Sequence, residues 1–301
     1  MLSVLIPVFN FDVRDLVATL SSQAQLAKIP FEIVVIDDAS DRKYQQLNKE
    51  IEKFQGVKYF IENDNLGRSR IRNKLADLAT YNNLLYLDCD SSIDNPEFIQ
   101  NYIDALDKYE VIYGGRKYNY TLPSDDRLKL HWLHGIKREQ IPVNIRSTEP
   151  NKSFMTNNFV ISRDAIEKVR FNEKIRGYGH EDTLFGYDLL KCSITIKHID
   201  NPVIHLGLES SEEFLRKTRE GISNLKRIMR INGNEKRLVR DITLLAYYKK
   251  FKNMGLEGII RFAFYKNEYR LRKNLTSKNP NLFLFDLYKL GYLCSLEPEH
   301  K

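Results

Sequence analysis

The feature that most constrains this chain is an alternation, through residues 1–90, of short continuous apolar runs with segments of helical spacing. Ser3–Phe9 is a β-branched, apolar run that closes at Asn10, and Asp15–Gln25 follows with Leu16 and Leu20 at helical spacing. Phe31–Ile36 is a second run, stopped by Asp37-Asp38-Ala39-Ser40; Asp41–Phe54 reads as a helix and Val57–Ile61 as a third strand. Gly67–Ala79 is another helix, and Asn83–Leu87 a fourth strand halted by Asp88. Strand and helix repeating at this interval predict right-handed crossovers and a doubly wound α/β domain. Runs that are continuous rather than alternating fit strands covered on both faces.

Beyond Asp90 the spacing predicts a helix over Pro96–Tyr109, a strand over Val111–Gly115 and a long polar stretch, Lys117–Lys152, holding the single tryptophan, Trp132. A strand (Phe159–Ser162), a helix (Arg163–Val169), a helix (Thr183–Lys191) and two short strands (Ile194–His198, Pro202–His205) complete this part. From Ser211 onward the pattern is nearly all helical, with Leu215, Ile222, Leu225 and Met229 toward one face. A length of 301 residues allows about two folding units, and the division falls near 210, giving 1–210 and 211–301. Charge divides there too: Phe214–Asn274 holds 17 Lys and Arg against 5 Asp and Glu, whereas residues 1–213 hold 27 against 32. The net +7 therefore describes neither part.

A chain 42% hydrophobic and 29% charged is neither disordered nor a disulfide-stapled miniprotein. Apolar runs such as Leu282–Phe285 fall far short of the roughly 20 residues a bilayer requires. No basic segment precedes the apolar Leu2–Val8, so no secretory signal is expected. Cys89, Cys192 and Cys294 are odd in number and widely spaced, as expected of reduced thiols in a cytoplasmic protein.

Ligands of an open α/β sheet bind beyond the carboxyl ends of its strands. Here those ends carry Asn10, Asp37-Asp38, Asn63 with Asn65, and Asp88-Cys89-Asp90, although Asp and Asn also serve turns and helix caps. Residues two apart on an extended strand share a side, so Asp88 and Asp90 can address one cation. Paired hard oxygens suit Mg²⁺ or Mn²⁺ bridging the phosphates of a nucleotide diphosphate. In Asn65–Asn73, Arg68 and Arg72 lie one helical turn apart, spaced to contact phosphate or to hold the aspartates. A phosphate loop of the Walker type and the Gly-X-Gly-X-X-Gly of dinucleotide folds are both missing after the first strand, against a kinase, ATPase or dehydrogenase. Farther on, Gly177-Tyr178-Gly179-His180-Glu181-Asp182 opens a helix with two carboxylates. Transfer of a sugar from a nucleotide diphosphate needs a base for the acceptor hydroxyl, which a carboxylate supplies. The glycines would let the chain approach the sugar. Helix dipole and burial pull the pKa of these carboxylates in opposite directions.

Together Ser3–Asn10, Val34–Ser40, Asn65–Asn73, Asp88–Asp90 and Gly177–Asp182, continuing through Thr183-Leu184-Phe185-Gly186, resemble a family 2-type glycosyltransferase with the GT-A fold, a Rossmann-like, doubly wound mixed sheet. The last motif is similar to the Glu-Asp motif of inverting enzymes in the galactosyltransferase and chondroitin-polymerase-like branch. The resemblance covers about residues 1–208 and stops before the basic tail. It implies that Pro7, Phe9 and Asp38 hold the uridine, with Asn10, Asn65 and Arg68 also lining the nucleotide and Arg72 facing its phosphates. Asp88 would touch ribose or metal, Asp90 would bind Mn²⁺ (or Mg²⁺), and His205 would be a further metal ligand, with His180 competing as a polar member of the site. Asp182 is implied as the base and Glu181 as a ligand of the acceptor hydroxyl. A single displacement then inverts the anomeric centre, and no second nucleophile is evident for a double displacement. Asn157 and Asn158 would meet donor-sugar hydroxyls, and Gly179 would lie against the sugar or acceptor. Trp132, with His131 and His134, would form a sugar-stacking platform or belong to a core or lid.

The expected activity is a metal-dependent, inverting transfer from a UDP-sugar to a saccharide or lipid-linked acceptor in surface polysaccharide synthesis. A nucleotidyltransferase also pairs aspartates on Mg²⁺, but it calls for a basic Gly-rich loop where this chain has Asn10-Phe11-Asp12-Val13. A sugar-nucleotide-binding protein without turnover is the non-enzymatic alternative. For the basic helical tail two roles lead, contact with the inner face of the cell membrane and packing against the catalytic domain or a second copy of the chain; nucleic acid ranks last because no reading motif accompanies the charge.

Overall fold

The computed structural model describes residues 1–106, 108–175, 177–231 and 235–296. They divide into two compact units: Met1–Asn119 with Glu139–Arg176 and Glu181–Gly207, and Tyr120–Arg138 with Gly177–His180 and Leu208–Lys301. The units are thus not contiguous in sequence. Two short segments from before residue 208 cluster with the helical tail.

The described residues of the first unit build a seven-stranded sheet from β1 (Leu2–Val8), β2 (Phe31–Asp37), β3 (Val57–Ile61) and β4 (Asn83–Leu87), joined by strands from farther along the chain. With β5 (Ser91–Ser92), β6 (Val111–Tyr113), β7 (Arg116–Lys117), β8 (Asn158–Ser162), β9 (Ile196–His198) and β10 (Val203–His205), the order is β3-β2-β1-β4-β8-β6-β9. Strands β1 to β4 pair in parallel, β8 runs antiparallel to both β4 and β6, and β6 pairs in parallel with β9. The sheet is mixed. A smaller sheet, β5-β10-β7, carries the polypeptide from the end of β4 to its last strand.

Continuous apolar runs are explained by burial on both faces. In β1, Leu5 joins one apolar cluster with Ile36 and Phe159, while Val4 and Ile6 join another with Ile33 and Leu85. Successive side chains leave a strand on opposite sides, so a strand covered twice has no polar register. At the edge, β3 exposes Phe60 and Ile61.

Differences from expectation have local causes. The helix read over Asp41–Phe54 is α-helical only over Arg42–Asn48 and tightens to a 3₁₀ turn over Lys49–Lys53. There the buried Asn48 accepts from Val13 N (3.0 Å) and donates to Phe11 O (2.8 Å), spending its amide on another segment. Helix Phe98–Ile103 is shorter than the span read for it. The polar stretch 117–152 contains helices Lys129–His134 and Val143–Arg146.

In the second unit, helices Ser211–Ile231, Thr243–Asn253, Glu257–Leu275 and Leu282–Ser295 pack around Phe214, Leu225, Leu245, Phe264 and Tyr288. The histidines expected beside Trp132 belong to this core. The His131 ring stacks on Phe214 at 4.5 Å, and His134 meets Phe214 and Phe285.

Candidate active site

At the carboxyl end of β4 the chain places Asp88, whose amide donates to Asn157 O at 3.0 Å. Helix Arg68–Leu78 sends Arg72 inward, one turn after Arg68. Arg72 Nη2 lies 2.8 Å from Asp88 Oδ1, and its Nη1 lies 3.5 Å from Glu181 Oε1. Arg68 Nη1 reaches the same Glu181 oxygen at 2.9 Å. From the other side Arg116, at the start of β7, lies 3.5 Å from Asp88 Oδ2 and 3.0 Å from Glu139 Oε2. Arg68, Glu181, Arg72, Asp88, Arg116 and Glu139 thus alternate in sign along one connected line, and Tyr118 OH donates to its Glu139 end. Arg72 is buried, and among the described residues its Nε and Nη1 find no hydrogen-bond acceptor. Buried donors of this kind need a partner, and an anion supplies one.

Glu181 and Asp182 open helix Glu181–Lys191. For Glu181, burial opposes ionisation, but Arg68 and Arg72 outweigh it and bring the carboxyl down to about 2. Asp182 moves the other way. Burial and then the charge of Glu181 push it up to about 6, against a 2.6 Å hydrogen bond from Thr183 N. Acid–base chemistry calls for neighbouring carboxyls driven apart in this manner, and structural ion pairs produce the same split. Arg68 also acts on Asp90, so one guanidinium's field bears on Asp90, Glu181 and Asp182 alike.

Antiparallel pairing of β5 with β10 sets Ser91 opposite His205, and Leu206 N donates to Asp90 O at 2.8 Å. His205 Nδ1 then sits 3.4 Å from Asp90 Oδ1. Burial disfavours the Asp90 carboxylate, but His205, Arg116 and Arg68 hold it well below the usual carboxylate range. A Cβ on Gly207 would come within 2.4 Å of Asp90 Oδ2, so this turn admits only glycine without a shift. Asp90 Oδ1 is buried with the His205 ring as its neighbour. A buried carboxylate oxygen beside an imidazole nitrogen fits two positions of a Mn²⁺ or Mg²⁺ shell. Among the described residues no three His, Cys, Asp or Glu side chains gather as a metal site. The remaining ligands would have to come from substrate phosphates and water. Asp88, expected to touch ribose or metal, faces guanidinium groups with both oxygens, Arg72 on Oδ1 and Arg116 on Oδ2.

The expected nucleotide residues form a laced set of strand ends. Asp38 accepts from Leu66 N (2.6 Å) and Gly67 N (3.0 Å), and Asn65 Nδ2 donates to Asp38 O at 2.9 Å. Burial raises the Asp38 pKa against those amides. Gly67 takes φ +80°, which a side chain would strain, as the chain turns into helix Arg68–Leu78. Asn10, at φ +50°, accepts from Asp41 N at 2.7 Å, and its own amide donates to Ser40 Oγ. Pro7 is half-buried in β1, and Phe9 stands exposed just past it.

Asn157 and Asn158 part company. Asn157 is buried, and among the described residues its Nδ2 finds no acceptor. Asn158 is not available to a sugar. Its Oδ1 accepts from Tyr102 OH (2.6 Å), its Nδ2 spends both N–H groups on Gly115 O (3.0 Å) and Asn201 O (2.9 Å), and the residue is fully buried. Trp132, Gly179 and His180 cluster with the second unit. Gly179, at φ +96°, makes its close approach to Gly221 of helix Ser211–Ile231. His180 also has a positive φ, +67°.

Sequence reasoning missed Arg116, Glu139 and Arg146. Arg116 carried a weak signal, a charge just after the strand read over Val111–Gly115. Arg146 carried none. Its buried guanidinium donates to Tyr113 O (3.2 Å) and Gly114 O (2.9 Å), contacts Ile199 O, and lies 2.8 Å from His198 Nδ1. His198 Nε2 lies 2.9 Å from Pro150 O, so that nitrogen carries the proton and Nδ1 accepts from Arg146. Burial lowers the His198 pKa to about 4 and keeps the ring neutral. Arg146 thereby fixes the Gly114–Gly115 turn that delivers Arg116 to Asp88.

A family model described as Glycosyl transferase family 2 matches residues 3–170, more than half the chain. The chondroitin synthase of Pasteurella multocida (strain Pm70) is 27% identical over 234 residues, which are 66% of this chain and 24% of that protein. The match fits the chondroitin-polymerase-like branch, although this chain spans about a quarter of the length of the curated synthases it matches. Among solved structures, the mannosyltransferase PcManGT of Pyrobaculum calidifontis, in complex with GDP-Man and Mn²⁺, aligns with a TM-score of 0.55 at 11% identity, over 96% of this chain and 85% of its own. The glucosyl-3-phosphoglycerate synthase of Mycobacterium tuberculosis, with Mn²⁺, UDP and glucosyl-3-phosphoglycerate, aligns at 0.52 and 14% identity, over 75% and 78%. With its mixed sheet and these neighbours in the GT-A fold, the chain belongs to glycosyl transferase family 2 and is a glycosyltransferase.

Proposed function

We propose that this glycosyltransferase moves a sugar from a UDP-sugar to a hydroxyl of a saccharide or glycolipid acceptor, with inversion and with a divalent cation, in the synthesis of a surface polysaccharide. One observation carries the reading: Asp182, poised near neutrality beside an ionised Glu181, belongs to the same electrostatic network as the strand-end Asp88 and Asp90. In the step so assigned, Asp182 takes the proton of the acceptor hydroxyl. The acceptor oxygen bonds to the anomeric carbon, and that carbon's bond to the phosphate oxygen breaks, its electron pair leaving with UDP. Glu181, fixed by Arg68, orients the acceptor hydroxyl, and Arg72 turns its unsatisfied donors to the phosphates. A cation held by Asp90 and His205 would neutralise charge on the departing diphosphate. Asp88 orders Arg72 and Arg116 and offers its carboxylate edge to the ribose. Asn157 offers its free amide to the donor sugar. Free cysteines support a reducing, cytoplasmic setting.

The test is UDP release from a panel of UDP-sugars with Mn²⁺, product identified by mass spectrometry. Asp182→Asn should lower turnover about 10²–10⁴-fold, and Asp90→Ala should remove the response to Mn²⁺. Unchanged turnover in Asp182→Asn would overturn the base assignment, and unchanged Mn²⁺ response in Asp90→Ala the metal assignment.

A further inference from the structure

Helix Glu257–Leu275 carries apolar groups on two opposite faces, and the second unit covers one of them. Inward, Phe264 and Leu275 are buried, and the Phe264 ring meets Tyr288 and lies so close to Gly291 that a Cβ there would fall 2.5 Å from it. Outward, Ile259, Phe262, Lys266, Tyr269 and Lys273 recur at intervals of three and four, one stripe along the helix, and all are exposed. Phe262 is 64% and Tyr269 76% exposed, and Lys266 Nζ lies 5.7 Å above the Phe262 ring. Exposed Arg261, Arg270 and Arg272 flank the stripe. The two acids of the helix are engaged elsewhere: Glu268 binds Arg219, and Glu257 accepts from Tyr248 OH at 2.9 Å. The face this helix turns outward is aromatic and cationic, and its two half-exposed carboxylates are paired with Arg219 and Tyr248.

We propose that this stripe docks on an anionic lipid surface, lying in the plane of the headgroups. The chemistry is complementary on both counts: rings enter the headgroup–acyl boundary while lysine and arginine meet anionic headgroups. Crossing is not at issue, since among the described residues no helix is long and apolar enough to span a bilayer. A second copy of the chain is the poorer occupant. Two-fold pairing of this face would set five exposed cations against five with no carboxylate between them. The inference goes beyond the transfer reaction and does not depend on which sugar is moved.

Vesicle flotation of the full chain tests it, with phosphatidylcholine vesicles with and without phosphatidylglycerol. Two double variants are compared, Phe262→Ser with Tyr269→Ser and Lys266→Gln with Lys273→Gln; being exposed, both should keep the wild-type circular dichroism spectrum and UDP release on a soluble acceptor. The expected result is binding only when phosphatidylglycerol is present, weakened about tenfold or more by either pair and by added salt. The proposal is overturned by absence of flotation, by equal flotation on neutral vesicles, or by flotation that neither pair weakens. It is equally overturned if sedimentation shows a dimer that both pairs dissociate, or if a soluble acidic polysaccharide takes the chain off the vesicles.

Discussion

Glu181 and Asp182 are chemically near-identical neighbours that the fold sends to opposite states. Two guanidiniums hold Glu181 ionised, and its charge then helps keep Asp182 a base of near-neutral strength. Turnover of the wild type should therefore rise with pH through about 6 and level off above it. Glu181→Gln removes the like charge, so the rise should shift to lower pH; an unmoved or higher midpoint in a pH–rate profile would count against the coupling. Stability should carry the same signature. With a folded pKa above its ordinary 3.8, Asp182 contributes stability below about pH 4 that is lost as pH rises to about 6. Asp182→Asn should thus be more stable than wild type at pH 7, by on the order of 1 kcal/mol given the partial exposure of the side chain. The gain should vanish at pH 4, as urea titrations at the two pH values would show. Glu181 has the opposite sign, stabilising above 4.5 and losing that contribution as pH falls toward 2.

Whole elements were legible wherever burial on both faces forced a continuous apolar run, as in β1, β2 and β4, and wherever such a run closed on Asp or Asn. Legibility failed where a polar side chain is spent on distant backbone. Asn158, the first residue of β8, looks like any asparagine at a strand end, and only the carbonyls of Gly115 and Asn201 reveal it as a structural knot. Arg146 lies in a stretch that reads as solvated, yet it is buried on carbonyls from three other positions. Its partners come from residues 113–114 and 198–199, which no local pattern connects to it. Arg146→Met should cost about 3 kcal/mol or more in chemical denaturation, because it leaves buried carbonyls and His198 without donors. Since the same carbonyls set the turn before Arg116, UDP release should fall as well. Arg146→Lys should restore part of the stability but not the forked contact. If Arg146→Met matched wild type in both measurements, the turn would not need the knot.

For the molecule as a whole, the candidate site couples ligand to folding. Three guanidiniums and five carboxylates of one connected region surround buried polar atoms that find no hydrogen-bond partner among the described residues, notably Arg72 Nε. Such groups cost stability when left unpaired and return it when a ligand meets them. UDP with Mn²⁺ should accordingly raise the melting temperature, since a ligand at a hundred times its Kd adds about 2.7 kcal/mol. Mn²⁺ or UDP alone should do much less, because two protein donors make a weak cation site until the diphosphate completes the shell. Asp90→Asn should abolish the extra stabilisation that Mn²⁺ gives over UDP alone, whereas Asp182→Asn, which touches neither phosphate nor cation in this assignment, should retain it. The pairing of these two variants separates binding from chemistry. Loss of the Mn²⁺ increment in Asp182→Asn would move that carboxylate from base to ligand, and its retention in Asp90→Asn would place the cation away from the end of β4.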